Sequence, residues 1–306
     1  MSTHFVCLKL CVAVCAVQRP VAFPDFIHQD VVELETEFIQ QHGRPLGEQD
    51  VLHVAVQALP RYLEYVRRRD LDMLEVFAGR GAVSTMFRSS GYSVFSFEKQ
   101  YDPTMNVLTL GGLLWLLWLV LRVKYEGLLV IAPECSHWIT TCHGTSQRFG
   151  VFGCIGNESI RWVWEANLTA MHSSWLMVVA HSRCVFKLME HPMSSSIFSY
   201  MPVQSMMQCT NPYKVFTWMG SFGNPIPKPT FLLTTLPWRT HRYLIRPKPQ
   251  KKKAAGGKKG FHGSYGLGKW HATPGALKVT GKYTKSFSRS LVKAFRKAQG
   301  HWGSHR

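Results

Sequence analysis

Acidic side chains are missing from the last part of this chain. Residues 239–306 contain 18 Lys and Arg and no Asp or Glu, whereas the whole chain has 36 bases and 18 acids. Residues 1–238 are therefore neutral overall. A segment without acids cannot neutralise its own bases, so it should stay extended until a polyanion binds. This charge distribution predicts an N-terminal segment 1–48 whose order the sequence leaves open, a folded domain 49–238, and a basic, largely disordered tail 239–306.

The sequence also lacks an apolar run as long as those that span membranes. The longest candidate, from Val107 to Leu121, has fifteen residues and no charge. As a helix it would reach ~22 Å, which is short of the ~30 Å hydrocarbon layer. This length favours a buried helix, with a transmembrane span as the alternative. The first twenty residues have the character of a signal peptide only in part, because Lys9 interrupts the apolar stretch and Pro20 follows it.

Cysteine spacings typical of zinc sites or disulfide frameworks are absent. Three of the eight cysteines, Cys7, Cys11 and Cys15, recur every four residues, and the others are scattered. Side chains at this spacing share one helix face, where they either pack or bind a metal, and packing is the preferred interpretation. We therefore predict a reducing compartment, nuclear or cytoplasmic, and no metal site.

The chain does contain enough apolar residues for a core, since 46% of them are hydrophobic. This content excludes a wholly disordered protein. Short apolar or alternating runs are separated by helical patterns, which predicts an α/β fold with a Rossmann-like, doubly wound, mostly parallel sheet. The predicted strands are Leu71–Phe77, Tyr92–Phe97, Leu128–Ala132, Cys184–Glu190, Tyr213–Trp218 and Thr230–Leu236, and the predicted helices are Val51–Arg68, Ala82–Ser90 and Glu158–Ala180.

Four of the predicted strands end in residues suited to binding a ligand. Gly79 and Gly81 follow the first strand, Glu98 ends the second, Pro133-Glu134-Cys135 follows the third and Glu190 ends the fourth. Because the carboxyl ends of parallel strands share one edge, these residues should meet there. A glycine turn and an acid at this separation suit a nucleoside without a pyrophosphate. The alternative is a tight turn and a surface glutamate.

Three of these segments resemble motifs of the cytosine-C5 DNA methyltransferases. Leu74–Gly81 is similar to their first motif, Pro133–Trp138 to their nucleophile loop and Met189–Pro192 to their Glu-Asn strand end. The resemblance covers roughly residues 71–238 in matching order. The sequence also resembles a group of methyltransferase-like proteins abundant in dinoflagellate algae. This resemblance rests on Cys135-Ser136-His137-Trp138 and Gly144-Thr145-Ser146, with Trp218-Met219-Gly220 and Lys228-Pro229-Thr230 downstream.

The resemblance implies a class I methyltransferase fold, S-adenosylmethionine as cofactor and a role for each matched residue. The thiolate of Cys135 would add to C6 of a flipped cytosine in DNA or RNA, and Glu190 would hydrogen-bond to a ring nitrogen. Glu98 would bind the ribose of the cofactor. The residues implied to bind the cofactor are Phe77, Ala78, Gly79, Gly81, Glu98 and Pro133.

Two positions differ from the family pattern and support an alternative function. Glu134 stands where the family has a proline, and its negative charge would raise the pKa of the Cys135 thiol. His191 replaces the asparagine of the Glu-Asn pair. Nearby backbone amides and arginines such as Arg148 or Arg80 would act in the opposite direction and lower the thiol pKa. The alternative is a catalytically inactive, methyltransferase-derived protein that binds nucleic acid.

The tail predicts nucleic acid as a partner. Its Lys251-Lys252-Lys253 run and spaced aromatic residues suit counterion release and base stacking. A solubilising or nuclear-targeting tail is the alternative. Near the end of the chain, Phe287, Leu291 and Phe295 recur every four residues among bases, which predicts a basic amphipathic helix. Such a helix would fold on a nucleic acid or on an anionic membrane surface.

Overall fold

The computed structural model describes residues 25–66, 68–150, 152–249, 261–263, 270–272 and 283–302. Its helices are α1 (Asp25–His42), α2 (Val51–Tyr65), α3 (Ala82–Arg88), α4 (Leu110–Arg122), α5 (His143–Ser146), α6 (Arg161–Ser182), α7 (Met201–Thr210) and α8 (Lys285–Trp302). Its strands are β1 (Leu71–Val76), β2 (Val94–Phe97), β3 (Val123–Ile131), β4 (Phe186–Pro192), β5 (Tyr213–Trp218), β6 (Pro229–Thr234), β7 (Phe261–Gly263) and β8 (Trp270–Ala272). Short 3₁₀ helices are Thr140–Cys142, Ser196–Ser199, Met219–Phe222 and Trp238–Tyr243.

Six strands form one mostly parallel sheet in the order β2-β1-β3-β4-β6-β5. Strands β2, β1, β3 and β4 pair in parallel, while β6 runs antiparallel to both of its neighbours. The predicted α/β fold with a mostly parallel sheet is confirmed. The chain passes from β1 outward to β2 and then returns to β3 on the other side of β1, so the strand order reverses between β1 and β3. Crevices at such reversal points are where open α/β sheets bind ligands.

The first face of the sheet packs against α4 and α6, and α1, α2 and α7 pack in turn against these two helices in the same core. Helix α4 carries most of the long apolar run, and its leucines from Leu113 to Leu121 are fully buried. Its first turn is capped by Thr109, whose Oγ1 accepts a hydrogen bond from the Gly112 N–H at 3.2 Å. The prediction of a buried helix here is confirmed. Among the helices the structure describes, none is long and apolar enough to cross a membrane.

The second face of the sheet packs against α3 and α8. Side chains of α8 that point to the sheet are fully buried, and Phe295 meets the Phe87 ring of α3 with 5.5 Å between ring centroids. Phe287 similarly contacts Phe222 at 5.4 Å. The start of the helix is capped by Thr284, whose Oγ1 accepts a hydrogen bond from the Phe287 N–H at 3.1 Å.

Two parts of the segment predicted as a disordered tail are therefore ordered parts of the domain. Residues 239–249 lead away from β6 with Leu244 buried, and α8 completes the second core. For these residues the prediction of a disordered tail is wrong, because the apolar side of α8 packs on the sheet of its own domain instead of on an external partner. Residues 250–260, 264–269 and 273–282 lie outside the described residues.

At the amino-terminal side, α1 packs beside α4 through Ile27, Leu34 and Phe38. Most of the segment 1–48 that the structure describes is therefore helical and joined to the first core. The three regularly spaced cysteines and the partial signal-peptide pattern lie outside the described residues.

Candidate functional site

A cavity of about 920 Å³ opens at the carboxyl edge of the sheet, beside the reversal point between β1 and β3. Five of the eight residues predicted as catalytic or cofactor-binding line it: Phe77, Gly79, Glu98, Pro133 and Cys135. The carboxyl ends of β1, β2 and β3 bring them together, as the strand pattern predicts. Of the other predicted site residues that the structure describes, Ala78, Gly81 and Glu190 are not among those lining the cavity.

The turn after β1 has an unusual backbone conformation. Phe77, Gly79 and Gly81 all have positive φ, at 59°, 54° and 62°. This region costs a residue with a side chain about 1–3 kcal/mol, and such strained residues concentrate at functional sites. A Cβ on Gly79 would meet no atom within 4 Å, so this glycine leaves open space. Gly81 begins α3, and its N–H donates to the Ala78 carbonyl at 2.8 Å.

Glu98 is buried at the end of β2 and holds the glycine turn in place. Its Oε2 accepts a hydrogen bond from the Gly79 N–H at 2.8 Å, and its Oε1 accepts one from the Gln100 N–H at 3.1 Å. An ionised carboxylate can accept about four hydrogen bonds. About two acceptor positions are therefore left for a ligand in the cavity.

A buried arginine organises the loop that carries Cys135. The Arg148 guanidinium lies over the Trp138 ring at 3.6 Å and donates hydrogen bonds to the carbonyls of His137, Cys154 and Ile155, at 2.9, 2.6 and 2.8 Å. Burial lowers the pKa of Arg148 to about 10. Arg148 thus fixes the shape of the loop, and it is not the cation whose charge acts on the thiol.

The thiol of Cys135 has a raised pKa, chiefly because it is buried. The charge of Lys228 lowers this pKa, while Glu190 and Glu134 raise it further. The expected effect of Glu134 therefore has the predicted direction but is smaller than that of burial. The neutral thiol is favoured in this state, and a nucleophilic role requires that a bound ligand or base help to remove its proton.

Lys228 and Tyr283 hold the carboxylate of Glu190. The Nζ of Lys228 lies 3.3 Å from Glu190 Oε1, with side chains only 11% and 7% exposed, and the Tyr283 hydroxyl donates to Oε2 at 3.4 Å. Burial lowers the pKa of Lys228, but the charge of Glu190 chiefly raises it above its ordinary value overall. Burial and Glu190 raise the pKa of Tyr283 well above its usual range. Lys228 also lines the cavity, so it stands between the cavity and Glu190.

His191, which follows Glu190 on β4, is completely buried. In the part of the chain that the structure describes, neither ring nitrogen has a hydrogen-bond partner. Burial, with a smaller effect from Lys228, lowers its pKa to about 3. His191 is therefore a neutral imidazole that does not add charge beside Glu190.

Sequence reasoning missed Lys228 and Tyr283 as site residues. Lys228 belongs to a Lys-Pro-Thr segment that the resemblance includes, but spacing gives no reason to pair it with Glu190, 38 positions earlier. Tyr283 lies within residues 239–306, which the sequence predicts to be a disordered tail. Only the antiparallel pairing of β6 with β4 and the docking of α8 bring these side chains together.

The sequence was compared with protein-family models and with curated proteins. No protein-family model matches the sequence. No curated protein matches it. Among the described residues, no group of three or more His, Cys, Asp and Glu side chains is arranged to hold a metal ion.

Proposed function

We propose that this protein binds S-adenosylmethionine in the cavity at the carboxyl edge of the sheet and is a methyltransferase of class I fold. The observation that carries the proposal is the cavity wall, where Phe77, Gly79, Glu98, Pro133 and Cys135 meet at the reversal point of the sheet. The resemblance of the sequence to the cytosine-C5 DNA methyltransferases implies a role in cofactor binding or catalysis for each of these five residues.

The residues present suit this cofactor. The cavity volume of about 920 Å³ lies within the ~300–1,000 Å³ of small-molecule sites. Open space over Gly79 admits a ligand close to the backbone, and the unused acceptor positions of Glu98 suit the two hydroxyls of a ribose. Phe77 and Pro133 supply apolar surface. The cofactor would contribute an electrophilic methyl group.

The proposed methyl acceptor is a cytosine in nucleic acid, with Cys135 as nucleophile. The thiolate of Cys135 would add to C6 and open the C5=C6 double bond, so that C5 takes the methyl group. Loss of the C5 proton and expulsion of Sγ would then restore the double bond and free the enzyme. Lys228 lowers the pKa of this thiol and is therefore expected to support the thiolate. For Glu190 to reach a ring nitrogen, its ion pair with Lys228 would have to open toward the cavity.

Isothermal titration calorimetry with S-adenosylmethionine tests the cofactor site. Gly79→Asp and Glu98→Ala should each weaken binding at least tenfold. Gly91→Asp is a matched control because Gly91 also has a positive φ and open space. Glu37→Ala is the second control, since it removes an exposed acid that does not line the cavity. Absence of binding to the parent, or equal losses in the control variants, would contradict the proposal.

A 5-fluorocytosine oligonucleotide tests the nucleophile. Because fluorine at C5 cannot be eliminated as the proton is, the bond between Sγ of Cys135 and C6 should persist when S-adenosylmethionine is present. A complex stable on a denaturing gel is expected for the parent and not for Cys135→Ala. A complex that survives in Cys135→Ala would rule out this assignment.

A second candidate is a non-catalytic protein that retains the cofactor site and binds nucleic acid. The ion pair between Lys228 and Glu190 and the raised pKa of Cys135 favour it, because both reduce the availability of catalytic groups. Cofactor binding in calorimetry with no covalent complex in the oligonucleotide assay would identify this candidate.

A further inference from the structure

We propose that the exposed face of α8 is a docking surface for the phosphate backbone of nucleic acid. This face, called the basic face below, consists of Lys285, Arg289, Lys293, Arg296 and Lys297, all exposed to solvent. The inference does not depend on cofactor binding in the cavity.

The basic face carries charge of one sign only. Helix α8 has no acid, and the elements that pack most closely on it, α3 and the 3₁₀ helices Met219–Phe222 and Trp238–Tyr243, have none either. These neighbours add the exposed bases Arg88, Arg239 and Arg242. Among the described residues, no ion pair joins the basic face to an acid, so its charges are available to a polyanion.

The packing of α8 favours nucleic acid over a membrane. A basic amphipathic helix binds a lipid surface by inserting its apolar side. Here Phe287, Leu291 and Phe295 are fully buried against the second face of the sheet. The exposed side therefore offers cations without an apolar anchor, which suits backbone phosphates.

The dimensions of the basic face match several phosphates of one strand. From Lys285 to Lys297 the helix rises about 18 Å at 1.5 Å per residue, and B-DNA has a phosphate about every 3.4 Å along a strand. The face begins near the cavity edge, because Tyr283, two residues before α8, hydrogen-bonds to Glu190, whose ion-pair partner Lys228 lines the cavity. A bound strand could therefore run from the helix toward the cavity.

Fluorescence anisotropy with a mixed-sequence duplex of about 25 base pairs, without S-adenosylmethionine, tests this docking surface. The variant R289Q/K293Q/R296Q removes three charges from the basic face. The control R44Q/K124Q/R161Q also removes three, from exposed side chains that are already paired with acids. Titrations at KCl concentrations between 50 and 300 mM give the salt dependence.

The basic-face variant should bind about a hundredfold more weakly at 0.1 M salt. The slope of log affinity against log salt should become less steep by about 2.7, because each phosphate contact contributes about 0.9. The control should stay within threefold of the parent. R289K/K293R/R296K, which keeps the charge, should bind as the parent does and shows that any loss is electrostatic.

Three results would overturn the inference. One is equal weakening of the basic-face variant and the control, which would make net charge the cause. Another is parental affinity in the basic-face variant. The third is stronger binding of the parent to vesicles with 30% phosphatidylserine than to the duplex at equal anionic charge, which would assign the face to lipid.

Discussion

The ion pair between Lys228 and Glu190 should show strong energetic coupling in a double-mutant cycle. At 3.3 Å and an effective dielectric constant of about 20, the attraction between the two charges is about 5 kcal/mol. Lys228→Met leaves a buried carboxylate unpaired, and Glu190→Gln leaves a buried ammonium unpaired. Each single variant should therefore lose about 3–5 kcal/mol of unfolding free energy, as is typical when one partner of a buried pair is removed.

The double variant K228M/E190Q should lose much less than the sum, because no buried charge is left without a partner. We expect a loss below about 2 kcal/mol and hence a coupling energy of at least about 4 kcal/mol. Urea unfolding at pH 7, followed by far-UV circular dichroism, measures all four proteins. Losses that add within about 0.5 kcal/mol would refute the reasoning and show that the two charges are solvated independently.

Three further predictions concern the thiol, the C-terminal helix and a buried acid. Lys228 lowers the pKa of the Cys135 thiol and Glu190 raises it. The rate of Cys135 alkylation by iodoacetamide at pH 8 should therefore fall in Lys228→Gln and rise in Glu190→Gln, although both variants break the same ion pair. Changes in the same direction would indicate unfolding instead. Leu291→Ala should cost about 2–5 kcal/mol in urea unfolding, because Leu291 is fully buried; a change below about 0.5 kcal/mol would mean that α8 does not dock in solution. Burial raises the pKa of Glu75 to about 7 in the folded protein from an ordinary value of 4.5. The folded protein therefore binds this proton more tightly than the unfolded chain does, so the stabilisation from protonated Glu75 is complete at low pH and is lost as the pH rises through about 7. Unfolding free energy should fall from pH 5 to pH 8 in the parent and change less in Glu75→Gln, and an identical pH dependence in the two proteins would contradict this assignment.

Local patterns predicted the strands well and therefore also the edge at which the site forms. Strands β1 and β3 are short apolar segments ended by a glycine turn or by Pro133, signals that depend only on neighbouring residues. The same logic placed Phe77, Gly79, Glu98 and Cys135 together, because parallel strands share a carboxyl edge.

The long-range contacts of the site could not be predicted in this way. Strand β6 pairs with β5, which precedes it along the chain, and it also inserts beside β4, which is far away in the sequence. This insertion brings Lys228 to Glu190. The charge of residues 239–306 predicts disorder, and this prediction is wrong for α8. High net charge leads to disorder only where a segment has too little apolar surface to bury, and α8 has a complete apolar face.

The position of α8 in the chain also governs the order in which the domain can be completed. The apolar residues of β1, β3 and β4 on the second face, such as Met73, Val130 and Leu188, are made long before the helix that covers them. A growing chain would expose this face until residues 283–299 leave the ribosome, which is the interval in which aggregation or chaperone binding competes with folding. Loss of the C-terminal residues through an early stop would uncover the same surface permanently. Residues 239–306, which carry 18 Lys and Arg and no acid, thus include the helix whose synthesis completes the hydrophobic core.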